Sequence, residues 1–474
     1  MKKMVLLTIG LVSMFVFGSC NFTVSDAALA NTEHEASRVH SVPELTRAEF
    51  LALQHRQECH VITLQELQAR LLPFLGNDLS RSARGTQSVI VGVERHMSVH
   101  EKGFASMGTS GMQASEIPFY LFTLENKARQ TRGFALASGD SRVGCIFAVV
   151  EYGDIDVDNQ FMQLFLSRLN DYILESIEIF NSVTVEDIRA VAVRRYENSR
   201  LSAISIAPLN QQVLPLLRTA WNQESPYWNV VNATSGNQTQ QLRTGSTAVA
   251  VAQIMAFHGY PVRPAGTIVC PVSRVSFIGF HEPQFGSTFF SHMAYNWGGM
   301  TAAQRAVNLP AVRQREIGVL MFEVSSHLQM TYVAGRSRAR LESVPIAFRN
   351  MGYNEPLVFV PYNFNIIRSS IDARRPVYMR GTSTCNTVEH SWVVDGYLDI
   401  PFGQFVHANL GMGGTSSGWY RGGVFDTRFP HCTLRPPPVM CERDRPVTVL
   451  PPSIWEGGYI FRDNLHIVPN VHRR

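Results

Sequence analysis

The stretch most informative about the fold is Thr244-Gly-Ser-Thr-Ala-Val-Ala-Val-Ala-Gln-Ile-Met-Ala-Phe-His-Gly-Tyr-Pro261. Its spacing predicts a helix over Thr247 to His258, with small alanines at alternate positions in the first turns. Ser246 follows Gly245 and would lie over the positive end of the helix dipole, where an anion is favoured. Ser246 is therefore a candidate nucleophile, although a lone serine at this place is more often only an N-cap.

Three further segments supply candidate partners for Ser246. In Glu389-His-Ser-Trp-Val-Val-Asp-Gly-Tyr397, His390 stands at the front of an apolar strand, 144 residues after Ser246. A histidine there could take the proton of a nucleophile and later return it to a leaving amine. Gln223 could donate a side-chain N–H to an oxyanion, and Asn409 could orient the imidazole. Singly, each is as consistent with a structural residue, so the prediction depends on the four segments together.

The second part of the chain, residues 213–474, has one early helix followed by mostly short strand-like runs. This order predicts an α+β domain. The runs are Leu357 to Val360, Pro376 to Arg380, Ser391 to Tyr397, Gln404 to Asn409 and Tyr459 to Phe461.

The first part of the chain, residues 42–193, is expected to form a smaller α+β domain with helices on an antiparallel sheet. Helices are predicted over Thr46 to Gln57, over Thr63 to Leu72 with Pro73 ending it, and over Asp158 to Phe180. Strands are predicted at Phe119 to Leu124, Gly133 to Ala137 and Gly144 to Val150. A polar, basic linker at residues 194–212 separates the two domains and is a candidate site of proteolysis.

The N-terminus predicts export. Residues 1–20 carry a basic start, an apolar run too short to span a membrane comfortably and the ending Phe17-Gly-Ser-Cys20, which resembles a lipobox. We therefore expect lipidation at Cys20, a tether at residues 21–41 and an outer-membrane or cell-surface location. A plain secretory signal is the alternative. The net charge of +4 over 474 residues gives no case for nucleic acid.

Six further cysteines allow 15 disulfide pairings, and the sequence does not choose among them. A local bridge between Cys432 and Cys441 is one possibility. No cysteine or histidine spacing suggests a metal site, and no cofactor is expected.

The four segments resemble the streptopain-like cysteine peptidases, which carry an N-terminal inhibitory propeptide. The matching residues are Trp221-Asn-Gln223, Ala252-Gln-Ile-Met255, Trp392-Val-Val-Asp-Gly-Tyr397 and Gly413-Gly414. In the first domain, Arg132-Gly-Phe-Ala-Leu-Ala-Ser-Gly-Asp140 is similar to the propeptide. The resemblance implies a papain-like catalytic fold, a secreted zymogen, endopeptidase ancestry, a polypeptide substrate and binding of the chain's own propeptide.

The chain departs from this pattern at the chemistry. Ser246 stands where the family has its cysteine, and Leu410 and Met412 stand where it has two tryptophans beside the histidine and the substrate cleft. Glu389 stands where a glycine usually precedes the histidine. An alcohol holds its proton far more tightly than a thiol and needs a closely aligned base. These departures favour a pseudopeptidase that keeps a peptide-binding cleft.

Two alternatives stay open. One is an active peptidase that uses Ser246 and His390, and the other is a surface adhesion or scaffold lipoprotein in which the cleft has no role. If the catalytic scaffold is intact, we expect Gln223, Ser246 and His390 to converge in one cleft. The Ser246 hydroxyl should then lie within about 3–4 Å of an imidazole nitrogen of His390, with Asn409 near the other side of the ring.

Overall fold

The computed structural model describes residues 60–75, 88–98, 117–127, 130–155, 159–190, 193, 211–228, 232–235, 238–241, 243–264, 294–333, 336–354, 357–382, 389–400, 402–426 and 465–473. The first domain contributes α1 (Leu64–Leu75), β1 (Val89–Ser98), β2 (Ile117–Asn126), β3 (Thr131–Ser138), β4 (Ile146–Val150) and α2 (Gln160–Ser182).

The second domain begins with three short strands and the buried helix, followed by further helices. These are β5 (Gln211–Val213), β6 (Asn232–Ser235), β7 (Gln238–Gln241), α3 (Ser246–His258), α4 (Trp297–Met300) and α5 (Ala311–His327). The remaining elements are β8 (Thr331–Val333), β9 (Arg336–Arg338), α6 (Ser343–Asn350), β10 (Val360–Pro361), α7 (Phe364–Asp372), β11 (Val377–Thr382), β12 (Glu389–Ile400), β13 (Gly403–Asn409), β14 (Gly418–Arg421) and β15 (Leu465–Val468). Short 3₁₀ turns occupy Ala306–Asn308 and Gly422–Phe425.

Helix α1 begins with a capping box. Thr63 and Glu66 bond reciprocally, because the Thr63 N–H donates to the Glu66 carboxylate at 2.8 Å and the Glu66 N–H donates to the Thr63 hydroxyl at 3.3 Å. The predicted stop at Pro73 is wrong, since the helix continues to Leu75. Phe74 and Leu75 are buried, and their packing outweighs the hydrogen bond that proline cannot make.

Helix α2 lies across both parts of the chain. Its N-cap is Asn159, whose side-chain oxygen accepts hydrogen bonds from the N–H groups of Phe161 and Met162. Phe161, Phe165 and Leu169 are buried in a core cluster that also contains Trp392, Tyr420 and Phe425 of the second domain. The two domains therefore share one apolar core at this helix.

The principal sheet is continuous between the domains. Among the described residues it has eleven strands in the order β1-β2-β3-β4-β14-β13-β12-β11-β15-β10, with β5 also paired to β12. All pairings of named strands are antiparallel, and β4 joins β14 through Gly418, Trp419 and Tyr420. A side chain at Gly418 would place its Cβ 2.5 Å from the Val149 carbonyl oxygen, so the close approach of these strands requires glycine.

These elements confirm the α+β fold class and most of the expected segments. The helix predicted from Asp158 is α2, the helix predicted from Thr247 is α3, and the strands expected in the first domain are β2, β3 and β4. The run predicted from Leu357 is shorter than expected, because only Val360 and Pro361 pair. The predicted linker extends too far, because Gln211 and Gln212 already belong to β5 and pair with β12. The predicted helix at Thr46, linker residues 194–210, the strand at Tyr459, and Cys432 and Cys441 lie outside the described residues.

Candidate active site

The start of α3 is fixed by Gly245. This residue occupies the N-cap position at φ +90°, where no side-chain cap is present, and Ser246 is the first helical residue. A Cβ at Gly245 would lie 2.6 Å from the Met330 side chain and 3.0 Å from that of Ser337. Only glycine suits this conformation and this space. The alternative in which Ser246 is merely the N-cap is therefore wrong.

Helix α3 is apolar on all sides and buried from Thr247 to Ala256. It packs against α5, β11 and β12, and its N-terminus lies beside the first residues of β12. The Ser246 hydroxyl oxygen accepts a hydrogen bond of 3.2 Å from the backbone N–H of Ser391. Ser246 and the residue after His390 are thus in direct contact.

The imidazole of His390 does not bond to Ser246, which corrects the expected geometry. Its Nε2 bonds to the Leu410 carbonyl oxygen at 2.9 Å, and its Nδ1 has no hydrogen-bond partner among the described residues. A carbonyl only accepts, so Nε2 carries the proton. Successive side chains of a strand point to opposite faces, and Ser391 faces α3 while His390 faces Phe161 and Trp392.

The ring of His390 is fully buried between aromatic neighbours. It stacks on Trp392 with centroids 6.2 Å apart and meets the ring of Phe161 at 6.1 Å. Burial lowers the pKa of His390 from 6.5 to about 4, and the bond to the Leu410 carbonyl offsets this only in part. In this arrangement His390 is neutral at physiological pH and is not hydrogen-bonded to the Ser246 hydroxyl.

Asn409 is also placed differently from its expected role. Its Nδ2 donates to the Thr219 carbonyl at 2.8 Å, and its Oδ1 accepts from Gln253 Nε2 at 3.1 Å. The Thr219 hydroxyl closes the triangle by donating to Gln253 Oε1 at 2.9 Å. Neither nitrogen of His390 bonds to Asn409. Asn409 therefore supports the loop before the site instead of orienting the imidazole.

Gln253 is a residue that the sequence reasoning did not single out, although it lies within the quoted Ala252-Gln-Ile-Met255 motif. It is fully buried on α3, and its Oε1 also accepts from the Trp221 N–H at 3.3 Å. A polar residue in an otherwise apolar helix was the available signal, because a buried amide requires partners. Its partners join the Trp221 segment, α3 and the end of β13.

Gln223 lies close to the start of α3 through its main chain. Its carbonyl oxygen accepts from the Thr244 N–H at 3.1 Å and from the Thr244 hydroxyl at 2.9 Å. These bonds place Gln223 near the residues that precede Ser246. The role of its side chain in an oxyanion hole remains a prediction.

Glu389 forms an ion pair at the front of β12. Its carboxylate lies 3.0 Å from the Arg380 guanidinium, and both side chains are mostly buried. Burial raises the pKa of Glu389, while Arg380 and Arg338 act in the opposite direction. The two same-face residues Glu389 and Ser391 flank His390, so a charged pair lies beside the candidate cleft.

The first domain reaches the remaining cleft residues. The Asn159 amide nitrogen contacts the Met412 sulfur at 3.1 Å, and the Ser416 N–H donates to the Tyr152 carbonyl at 2.8 Å. Leu410 is fully buried, whereas Met412 is partly exposed. Tyr152 and Asn159, which precede α2, therefore contact the loop where the resemblance places two tryptophans.

Strands β12 and β13 also contain a histidine–carboxylate pair that the sequence reasoning did not predict. His407 Nδ1 lies 2.6 Å from Asp395 Oδ1, and the other carboxylate oxygen accepts from the Leu217 N–H at 2.9 Å. Asp395 is fully buried at the irregularity between β12 and β13. The quoted motif contained Asp395, but the pairing with His407 depends on strand register, which the motif does not specify.

The part of the chain that the structure describes contains neither a candidate metal site nor a candidate membrane-spanning helix. No group of three or more His, Cys, Asp or Glu there could hold a metal ion. None of the helices in that part of the chain is long and apolar enough to cross a membrane. Cys145 is fully buried in the core of the first domain, where it packs among β2, β4 and α1. A buried thiol of this kind is not an accessible nucleophile.

The start of a buried helix, the adjoining strand and the glutamine loop meet around Ser246, Ser391 and Gln223. This is the arrangement that the resemblance implied for a papain-like fold preceded by a smaller α+β domain. Comparison with known proteins agrees with this resemblance. Residues 221–420 match the model of the Peptidase C10 family. The chain is thus a homologue of the streptopain-like cysteine peptidases, and the resemblance first drawn from the four segments is confirmed.

Individual relatives are distant. Streptopain of Streptococcus pyogenes is 27% identical over 315 residues, which cover 61% of this chain and 71% of that protein. The thiol protease/hemagglutinin PrtT of Porphyromonas gingivalis is 26% identical over 318 residues, or 65% of this chain and 34% of that protein.

Two solved structures from Prevotella intermedia are similar. A prointerpain A fragment has a TM-score of 0.43 at 18% identity and covers 65% of this chain and 90% of its own. The active interpain A cysteine protease has a TM-score of 0.37 at 20% identity and covers 55% of this chain and 95% of its own.

Proposed function

We propose that this chain is a streptopain-like pseudopeptidase, which binds polypeptide in its cleft and cleaves it very slowly or not at all. The observation that carries the proposal is the separation of the two reacting groups. Ser246 Oγ accepts from the Ser391 N–H, while His390 Nε2 donates to the Leu410 carbonyl. An alcohol without an aligned base is a poor nucleophile at neutral pH.

The proposal is tested by turnover and capture together. The full chain should show no measurable hydrolysis of casein or of a peptide library, yet should retain a subset of peptides. The matched variant Ser246→Cys should gain reactivity toward iodoacetamide, because a thiol near a helix N-terminus is readily ionised. Robust hydrolysis by the unmodified chain that Ser246→Ala abolishes would refute the proposal.

Restoring an indole beside the cleft is a second step of the same test. Met412 is partly exposed, so Met412→Trp has room and should raise the peptidase activity of Ser246→Cys once trypsin has removed the first domain. Leu410 has no exposed surface, and Leu410→Trp should overpack the core instead. A gain from Leu410→Trp without loss of stability would contradict this assignment of the two positions.

A second candidate function is an active serine-dependent peptidase that is silent while the first domain is attached. The observation in its favour is that Phe161 of α2 closes over His390. Trypsin should cut within the basic segment at residues 194–200 and leave a folded C-terminal fragment, in keeping with domain-sized units. Turnover by that fragment, lost in Ser246→Ala and in His390→Ala, would favour this function over the first.

For the location, we propose export and lipidation at Cys20 through the lipobox-like N-terminus. The mass of membrane-extracted protein should include a diacyl or triacyl group on Cys20. A mature chain without lipid, cleaved at another position, would contradict this.

A further inference from the structure

Four hydroxyl-bearing residues meet where α3 approaches β12. We refer to Ser246, Thr247, Tyr378 and Ser391 as the hydroxyl cluster. The Ser391 hydroxyl lies 3.0 Å from that of Thr247 and 2.8 Å from that of Tyr378, and all three side chains are buried. Ser246 joins the cluster through the Ser391 backbone, whose N–H it accepts at 3.2 Å. The cluster therefore connects one helix and two strands through two hydroxyl–hydroxyl contacts and one backbone N–H.

Ser391 pairs with Arg380 of β11 on one side of β12, whereas the ladder with β13 on the other side does not reach it. The ladder between β12 and β13 ends at Val393 and Asn409, two residues before Ser391 would be reached. A backbone N–H in a buried region is almost always paired, because leaving it unpaired carries the full desolvation cost. Ser246 Oγ lies at this end of the ladder and takes the place of the missing strand partner.

The chemistry of this contact favours an oxygen at position 246. A hydroxyl oxygen is a good acceptor, whereas a thiol sulfur is a weak one. Neither ring nitrogen of His390 bonds to Ser246. Nε2 bonds to the Leu410 carbonyl, and Nδ1 has no hydrogen-bond partner in the part of the chain that the structure describes. The hydroxyl is thus committed to the backbone of β12 and not to proton transfer.

We infer that Ser246 is a positioning residue, which fastens the N-terminus of α3 to the leading end of β12 and so holds Glu389 and His390 in place. This deepens the proposed function, because it assigns a structural role to the position that would otherwise carry the nucleophile. It concerns the folded chain without any ligand. Thr247, Tyr378 and the Ser391 hydroxyl support the contact from the side facing α3.

The test is the hydrogen exchange of the Ser391 amide in the full chain, measured by mass spectrometry with site-resolving fragmentation. Ser246→Ala should accelerate that exchange by about tenfold or more, because the hydroxyl oxygen that accepts from this amide is removed. Ser246→Thr keeps the oxygen and should stay protected, and Ser246→Cys should fall between them. Ser343→Ala removes a serine from the first position of α6, where no side-chain cap is made, and should leave the Ser391 amide unchanged.

The outcome that overturns the inference is equal exchange at Ser391 in the unmodified chain, Ser246→Ala and Ser246→Cys. If Ser246→Ala does not fold, the ranking of Ser246→Thr above Ser246→Cys still decides the question, and the reverse ranking refutes the inference. Failure of the proposed function is measured separately, as peptide hydrolysis by the unmodified chain. The unmodified chain could hydrolyse peptide while its Ser391 amide is protected from exchange and loses that protection in Ser246→Ala. That result would refute the proposed function and leave the inference standing.

Discussion

Acidification should destabilise this protein through His390, and the size of the effect follows from its burial. The lowered pKa of about 4 compares with an ordinary value of 6.5. Between about pH 6.5 and pH 4, His390 is protonated in the unfolded chain but neutral in the folded chain. The free energy of unfolding therefore falls as pH falls through this window. At about 1.4 kcal/mol for each pKa unit, the full loss is about 3 kcal/mol.

The assay is urea denaturation of the full chain at several pH values from 7.5 to 4.5, beside His390→Gln. Glutamine does not titrate, so the variant should lack this part of the acid sensitivity, and the two stabilities should converge by about 3 kcal/mol as pH falls. His258→Gln is the matched comparison, because burial lowers the pKa of His258 to about 4 as well. Its effect should add to that of His390→Gln, since the two rings lie in different clusters. Parallel stability curves for the unmodified chain and His390→Gln would refute the reasoning.

Three other changes test the packing around the site. Phe161→Ala should cost about 3–5 kcal/mol in urea denaturation and move the pKa of His390 toward its ordinary value, as measured by NMR titration, because it opens the ring to water; an unmoved pKa would contradict this. Gly418→Ala should lower the thermal midpoint, because its Cβ would lie 2.5 Å from a β4 carbonyl; an unchanged midpoint would show that the strands separate freely. Gln253→Leu should cost about 1–3 kcal/mol by removing its hydrogen bonds to three buried partners, whereas Gln65→Leu on the exposed face of α1 should cost little.

Much of the fold could be predicted because its segments have strong local patterns. The helix over Thr247 to His258 and the strand over Ser391 to Tyr397 are both uniform in character. The helix was predicted to within one residue at each end, and the strand to within two residues at its start and three at its end. Helix α5 was missed because it is buried over most of its second half yet contains Glu323. That carboxylate accepts a hydrogen bond from Tyr295, a partner that is distant in sequence. A local pattern cannot reveal such long-range compensation.

The candidate site was also predicted only in part: the segments that meet were identified, but the orientations of their side chains were not. The motifs correctly placed Ser246 beside the segment of His390, because a helix start and a strand start of this type meet in the expected fold. The orientation of the imidazole was wrong, since it depends on Phe161 from the first domain and on the Leu410 carbonyl. The prediction that Asn409 orients the imidazole was wrong for a similar reason, since its partners also depend on the fold. Its actual partners, Thr219 and Gln253, become neighbours only in the folded chain.

The position of His390 also couples the site to the interface between the domains. The ring of Phe161 lies 5.1 Å from that of Trp392 and 5.0 Å from that of Tyr420, so the residue that covers His390 also anchors α2. Turning His390 toward Ser246 would leave a gap beside these rings, and filling it would require α2 to move. Gaps in a packed core are costly, because the surrounding atoms relax only in part. Any catalytic arrangement of Ser246 and His390 is therefore linked to displacement of α2, and a chain that retains its first domain should remain silent even after Ser246→Cys restores a thiol.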